Sequence, residues 1–403
     1  MVVGRLGTTN MRAPWALAWS QLVRERARFA MALAGVGFAV ILMLVQLGFR
    51  SAAFDGAVRL HRVLAAEVVI VHPRTNVLAD VAGFPRRRLD QARAVPGVRA
   101  VTGVNARLLP WTNLDEGGSR YIFVVGIDPS AHALDLPEVN AQLDRLKLPE
   151  TVLFDLSSRP EFGISGDQPP RRQAPGMNGG TSPAVEINGY RVQVVGFYRL
   201  GISFAIDGTV VTSDLNFLRL VPGHPPGLIE IGLVQLTPGA DPLLVRDDLA
   251  RTLPPDVRVL TRKEYMDREI HYWDTSMSIG IVFGFSVLVG FGVGAVVVAQ
   301  ILFSDVTDHL DEYATLKAIG FGNRYLYGVV LWEAFFMACL GFVPGVGASA
   351  LLYRLVVAMT GLPMVFDPTR AGLVLGLTVL MCFAAGLLAL RKLETADPAE
   401  MFR

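Results

Sequence analysis

Charged residues disappear from four stretches of the chain and are ordinary elsewhere. Phe29–Phe49, Thr275–Ser304, Ala334–Tyr353 and Ala371–Leu390 contain no Asp, Glu, Lys or Arg. At about 1.5 Å of rise per residue, roughly 20 apolar residues cross a hydrocarbon core about 30 Å thick. Each stretch is predicted to be a membrane-spanning helix, one before and three after the polar segment Arg50–Asp274. The expected fold is a multi-pass α-helical membrane protein, four transmembrane helices set one plus three, with an extracytoplasmic α/β domain. Its predicted parts are an N-terminal segment at 1–28, helix 1 at 29–49 and the outer domain at 50–274. Helix 2 follows at 275–304, a loop at 305–324, helix 3 at 325–353, a short loop at 354–370, helix 4 at 371–390 and a tail at 391–403.

Inside the polar segment, Glu67–His72, Val98–Leu109, Arg120–Ile127, Thr209–Thr212, Leu228–Leu236 and Val257–Leu260 read as strands. Val185–Ile187 and Arg191–Tyr198 flank Asn188-Gly189, a strong signal for a tight hairpin. Helices are predicted over Pro85–Val95, from about Asp214, and from Asp241 to Leu253. Strand pairs separated by one helix suggest ferredoxin-like βαβ units. Residues 157–183, with five Pro and five Gly, read as a mobile loop. Phe54, Val58, Leu60 and Leu64 keep helical spacing after helix 1, and Arg262–Asp274 contains no Gly or Pro before helix 2. Both segments are expected to prolong their membrane helices as stalks. Arg50, Arg59 and Arg62 on one stalk could pair with Glu264, Asp267, Glu269 and Asp274 on the other. Exposed pairs of that kind contribute roughly 0–1 kcal/mol each. Ahead of helix 1, Trp15, Trp19, Leu22 and Val23 recur at helical spacing opposite Ser20, Gln21 and Arg24. That pattern fits an amphipathic helix in the inner leaflet's interface or a plain extension of helix 1.

Composition narrows the classes. The chain is 52% hydrophobic and 18% charged, and its net charge of +1 argues against a nucleic-acid partner. Cys339 and Cys382 both fall in predicted membrane helices, so the outer domain has neither a disulfide framework nor a cysteine-based zinc site. Phe29–Phe49 exceeds the apolar core of a signal peptide and is closed by no small-x-small site before Arg50, so it reads as a permanent anchor. Arg5, Arg12, Arg24, Arg26 and Arg28 before helix 1, with Arg391, Lys392 and Arg403 after helix 4, place both termini in the cytoplasm. The expected location is a bacterial inner membrane. The loop 305–324 fits that orientation least well, since Asp305, Asp308, Asp311 and Glu312 face only Lys317 and Arg324.

Catalytic patterns are missing. None of Lys147, Lys263, Lys317 and Lys392 follows a glycine, so the 403 residues hold no Walker A loop. G-x-S-x-G and H-E-x-x-H do not occur, and His61, His72, His132, His224, His271 and His309 lack metal-ligand spacing. Each reads as a surface or packing residue, although His61 and His271 could face each other across the stalks. An enzyme is not expected, and no cofactor is expected to bind this chain. Ionisable residues inside a membrane are functional candidates by default. Glu333, nine residues past Arg324, is the one in the apolar block of helix 3. It could act as a hinge or contact sensing the 305–324 loop, or be satisfied by Arg324, Lys317 or a helix-1 backbone group. No second acid appears along predicted helices 2–4, which argues against a proton relay. Gly35 and Gly37, Gly280 and Gly284, Gly290, Gly292 and Gly294, and Gly341 and Gly345 permit close helix packing or dimerisation.

The segment Glu312-Tyr-Ala-Thr-Leu-Lys-Ala-Ile-Gly320 resembles the E-[IY]-x-x-L-[KR]-A-[IL]-G element of the FtsX/MacB-like permeases, which lies between their second and third membrane helices. Leu17-Ala-Trp-Ser-Gln-Leu22, the run from Arg28 to Met43 and Phe84–Leu89 resemble the DevC branch. The resemblance implies a permease dimer, each copy binding a cytoplasmic ABC ATPase that holds ATP and Mg. It makes Leu310, Glu312, Tyr313, Leu316, Lys317 and Gly320 the coupling element. Val306, Leu310, Tyr313 and Leu316/Lys317 would form an apolar stripe beside acids, and Gly320 a left-handed cap. The alternative is a solvated connector with that stripe on the headgroups. By the same resemblance, ATP-driven motion reaches the outer domain through helices 1 and 2. That domain then drives a lipid-like or hydrophobic compound through a periplasmic adaptor (a membrane fusion protein) and an outer-membrane channel. Competing readings are an FtsX-like subunit activating a cell-wall hydrolase, a lipoprotein-releasing permease, and a membrane-anchored binding module without an ATPase.

Overall fold

The computed structural model describes residues 14–24, 26–112, 118–164, 184–203, 205–275, 279–309, 312–313, 315–316, 319, 321–362 and 364–395. Along the chain these form α1 (Pro14–Arg24), α2 (Arg26–Ala57), α3 (Arg59–Arg62), β1 (Val68–Val71), β2 (Phe84–Pro85), α4 (Arg87–Arg93), β3 (Val98–Thr112), β4 (Ser119–Ile127) and α5 (Pro137–Asn140). Then come β5 (Thr151–Asp155), β6 (Ala184–Ile187), β7 (Tyr190–Tyr198), β8 (Thr209–Ser213), α6 (Asp214–Leu220), β9 (Leu228–Ile229), β10 (Ile231–Leu236), α7 (Pro242–Thr252) and β11 (Arg258–Thr261). The last elements are α8 (Arg262–Thr275), α9 (Ile279–Asp308), α10 (Asn323–Thr360) and α11 (Pro368–Thr395). The chain divides into a helical unit (1–51, 280–360, 364–403) and an α/β unit (52–279, 361–363).

In the helical unit, α2, α9, α10 and α11 are each long and apolar enough to cross a membrane. α2, α10 and α11 outrun their charge-free stretches at both ends and α9 at its C-terminal end, because a helix continues past the apolar zone wherever its backbone bonds are met. The core is the inward stripe of α2 (Val36, Ala39, Val40, Met43) against Val298 and Leu302 of α9, Val330 and Ala338 of α10, and Met381 and Ala385 of α11. Glycines set the approach. A Cβ on Gly341 or Gly345 of α10 would meet Val36 or Val40 of α2 at 2.7 and 2.8 Å. One on Gly294 of α9 would meet Ala39 at 2.5 Å, Gly290 abuts Leu42, and Gly35 of α2 abuts Val297. Gly280 is half-buried, whereas Gly284 and Gly292 face open space. Around them Ile281, Phe285, Leu288 and Val296 are exposed.

The α/β unit is built on a nine-stranded mixed sheet ordered β11-β1-β10-β3-β4-β8-β5-β7-β6. Its first four strands, antiparallel throughout, are joined in the sequence β1-α4-β3 and β10-α7-β11. This is the ferredoxin-like split βαβ arrangement that the strand and helix spacing suggests. Helices α4 and α7 bury Leu89, Val245 and Leu249 on one face with Val68, Ile70 and Val234. Everything from β4 to β9 is inserted between β3 and β10. The 15-residue β3 ties the two parts together, pairing with β10, β4 and, at Trp111–Thr112, β6. Tyr190–Tyr198 returns beside β6 through Asn188 (φ 52°) and Gly189 (φ 81°), the left-handed pair a two-residue hairpin requires.

The structure departs from the sequence reading in three places. Leu228–Leu236 is two strands: β9 leaves to pair with β2, and Glu230 turns inward between β9 and β10. The helix predicted from Pro85 starts at Arg87, because Phe84 and Pro85 belong to β2. β5, absent from that reading, lies buried between β8 and β7. Most of the 157–183 loop lies outside the described residues; Pro160–Phe162 forms one turn of 3₁₀ helix.

Candidate functional site

The end of the helical unit that carries the 305–324 segment concentrates its polar side chains. Helix α9 runs to Asp308 and thereby brings Asp305 beside Glu333. Helix 2 therefore does supply the second acid that the charge-free stretch, ending at Ser304, leaves out. Glu333 is completely buried, and neither of its oxygens accepts an N–H or hydroxyl hydrogen bond. The Asp305 side chain is its acidic neighbour. His309 caps the helix end, with Nδ1 3.0 Å from the Asp305 carbonyl.

Past Asp308, backbone bonds from Tyr313 N–H to the His309 carbonyl and from Ile319 N–H to the Thr315 carbonyl keep the segment helical where it is described. Its apolar stripe turns inward: Val306 and Tyr313 are buried, and Leu316 packs against the same core. Burial, reinforced by the negative charges of Glu333 and Asp305, holds the Tyr313 phenol above its ordinary range. The outward residues are Glu312, Thr315 and Ile319. Leu310, Lys317 and Gly320 lie outside the described residues.

Helix α1 lies against this segment and α10. Ala18, Gln21 and Leu22 are buried, so Gln21 belongs to the inner face instead of the polar face that the spacing suggests. Trp15, Trp19 and Val23 are exposed, and Trp19 meets Phe336 edge-on at 5.4 Å. Gln21 Nε2 donates to Glu312 at 3.3 Å, Arg24 lies 3.8 Å from the same carboxylate, and Arg28 pairs with Asp308 at 2.5 Å. The three contacts fasten the N-terminal helix to the segment after helix 2.

A second constellation sits in the α/β unit, on α3 and α8. His61 of α3 lies 3.5 Å from Glu269 of α8, and its ring is 4.4 Å from that of Tyr265. Glu269 accepts from Leu78 N–H and Trp273 Nε1, both at 2.8 Å. His61 therefore faces Glu269, while His271 faces outward. Of the stalk charges, Arg62, Glu264 and Arg59 take local partners. Arg62 pairs with Asp55 at 2.6 Å, Glu264 with Arg246 at 3.0 Å, and Arg59 donates to the Leu200 carbonyl at 3.1 Å. Asp155, fully buried, holds the same 199–201 turn by accepting from Leu200 and Gly201 N–H at 3.0 and 2.8 Å. That loop also closes on α2, where a Cβ on Gly56 would meet the Ser203 backbone at 3.2 Å.

Residues 275–398 match the family model described as FtsX-like permease C-terminal. The match takes in α9, the 305–324 segment, α10 and α11. Three solved structures show weaker likeness. The periplasmic region of MacB from Actinobacillus actinomycetemcomitans is 10% identical, with 50% of this chain and 92% of that one covered and a TM-score of 0.33. The extracellular domain of the ABC-type transporter YknZ from Gram-positive bacteria is 14% identical, over 49% and 99%, with a TM-score of 0.33. A domain of a putative permease from Porphyromonas gingivalis is 11% identical, over 48% and 89%, with a TM-score of 0.31. No curated protein matches the chain. On the 305–324 segment, sequence reasoning singles out Glu312 but not Thr315 or Ile319, and it reads Gln21 only as part of a polar face and Asp308 only as part of an acidic run. Acidic residues at a helix end opposite arginines upstream were the available signal.

Proposed function

We propose that the chain is the membrane permease subunit of an ABC-type exporter and relays the motion of a separate ATPase to its own α/β unit. The observation that carries this reading is the FtsX-like match over 275–398, which contains the coupling segment and the helices around it. In the proposed cycle, the ATPase subunit docks on the outward side of that segment, at Glu312, Thr315 and Ile319. The buried stripe of Val306, Tyr313 and Leu316 passes its displacement to α9 and α10. Arg28–Asp308 and Gln21–Glu312 carry α1 and the start of α2 along. In the α/β unit, the Glu269 node and the Arg59–Leu200 contact tie α8 and α3, which follows α2, to the rest of that unit. Force then enters through packed side chains and not through a tether. ATP and Mg belong to the partner, and no step in this chain breaks a covalent bond. The open face of α9 around Gly284 and Gly292 is where a second copy would pack. Both termini lie in the cytoplasm of a bacterium, and the α/β unit works with an adaptor and an outer-membrane channel to expel a lipid-like compound.

The test is co-purification of the full chain with ABC ATPase subunits from its source cell, followed by ATPase assay in lipid. The chain is expected to raise hydrolysis several-fold and Ile319→Glu to abolish the increase while leaving the thermal midpoint unchanged. Failure of any ABC ATPase to associate, or full stimulation by the Ile319→Glu variant, overturns the reading.

A further inference from the structure

A pocket of about 260 Å³ in the α/β unit is lined by Asn76, Arg268, His271, Tyr272 and Thr275. The four residues from α8 fall at i, i+3, i+4 and i+7 and so share one face. All five side chains can donate a hydrogen bond, and no carboxylate is among them. Arg268 Nη2 donates to Asn76 Oδ1 at 3.0 Å, and the Thr275 hydroxyl to the His271 carbonyl at 2.7 Å. Arg268 Nε is buried without an acceptor, as is Nη1 of Arg258 on the edge strand β11. Burial pulls the Arg268 guanidinium below its ordinary value, and the positive charge of Arg258 pulls it further. An unmet guanidinium N–H on Arg268 beside a second positive charge, itself with an unmet N–H, is costly unless an anion lies close by. Asp267 and Asp274 lie on the adjacent face of α8, outside the lining.

We propose that this pocket binds a phosphate-bearing group, with Arg268 as its main ligand, Asn76 and His271 as further hydrogen-bond donors and Arg258, outside the lining, as a second positive charge nearby. Guanidinium groups suit phosphate because their fork of N–H donors matches two oxygens at once. The volume lies below the roughly 300–1,000 Å³ of drug-sized sites, which suits a headgroup-sized anion. Thr275 stands four residues before Ile279, the first residue of the apolar α9, so an anionic lipid headgroup is one source. Free phosphate is the other. The proposal does not depend on the export reading.

The experiment follows thermal unfolding of the full chain in non-ionic detergent. Its arms are inorganic phosphate, dihexanoyl phosphatidylglycerol, and dihexanoylglycerol as the phosphate-free control. A saturable rise in midpoint with phosphate and phosphatidylglycerol alike identifies a phosphate site open to either source. A rise with phosphatidylglycerol alone identifies a headgroup site. Arg268→Gln should abolish the rise, and Arg258→Gln should weaken half-saturation at least tenfold. Should Arg268→Gln fail to fold, the double variant Asn76→Ala/His271→Ala, which keeps both arginines, should weaken it several-fold. No rise beyond the control, or a rise that survives these substitutions, overturns the proposal.

Discussion

Glu230 sits where a strand has to break, and its chemistry records the cost. Its carboxyl is fully enclosed, 3.7 Å from His224 and 3.9 Å from Arg107, and accepts from Ala106 N–H at 3.3 Å. Burial pushes it up to about 7 from an ordinary 4.5, against the opposing pull of the Ala106 N–H and Arg107. Burial also pushes the His224 imidazole down. Between pH 4.5 and 7 the folded state holds the Glu230 proton that the unfolded state has lost. Stability is therefore greatest below the unfolded value and falls as pH rises through 7, by about 3 kcal/mol in all. Glu230→Gln should remove that slope and stabilise the protein at pH 8, as read by thermal unfolding across pH 5–8. At Glu269 the outcome runs the other way. Glu269→Ala leaves Leu78 N–H and Trp273 Nε1 without an acceptor and should destabilise the α/β unit by about 1–3 kcal/mol. Neither residue was legible in the sequence: a Glu in an apolar strand and a Glu in a polar helix look alike until a fold encloses them.

At the scale of elements, close approach can be tested against open space. Gly345→Val would drive side-chain atoms into Val40, whose Cβ a bare methyl already meets at 2.8 Å, so it should destabilise the helical unit by about 1–3 kcal/mol. Gly284→Val, with nothing within 4 Å, should be silent in the monomer. Protease resistance in detergent separates the two. The same contrast applies to the 305–324 segment. Leu316→Glu puts a charge against the helical core and should lower the thermal midpoint, whereas Ile319→Glu should leave it alone. Periodicity in the sequence identified the stripe of Val306, Tyr313 and Leu316 but could not say which neighbour it faces. Helix existence was plain because charge is so costly in hydrocarbon. The true ends were not, since Asp305 and Asp308 lie beyond the apolar zone yet inside the helix. The Asn188-Gly189 hairpin was readable from two residues because only a left-handed pair closes so short a turn. β5 was missed for the opposite reason: Thr151–Asp155 is buried on both faces, so it shows no alternation.

Among the described residues, the helical unit has one hydrophobic core of helix against helix, and the α/β unit has its own separate clusters around the sheet. Denaturation should then proceed in more than one step. Calorimetry between pH 5 and 8 should move the transition of the α/β unit, which holds Glu230, and leave that of the helical unit in place. One element belongs to both units. Helix α2 is unbroken from Arg26 to Ala57, with Val36 and Val40 against α10 near one end and Gly56 against Ser203 at the other. A continuous helix turns about 100° per residue, so its two ends share a rotational phase. One alanine inserted after Phe49 would throw the distal face about 100° out of step. Four would restore it to within about 40° while lengthening the rod by about 6 Å. A device driven by torsion would recover with the fourth residue, and one driven by length would not.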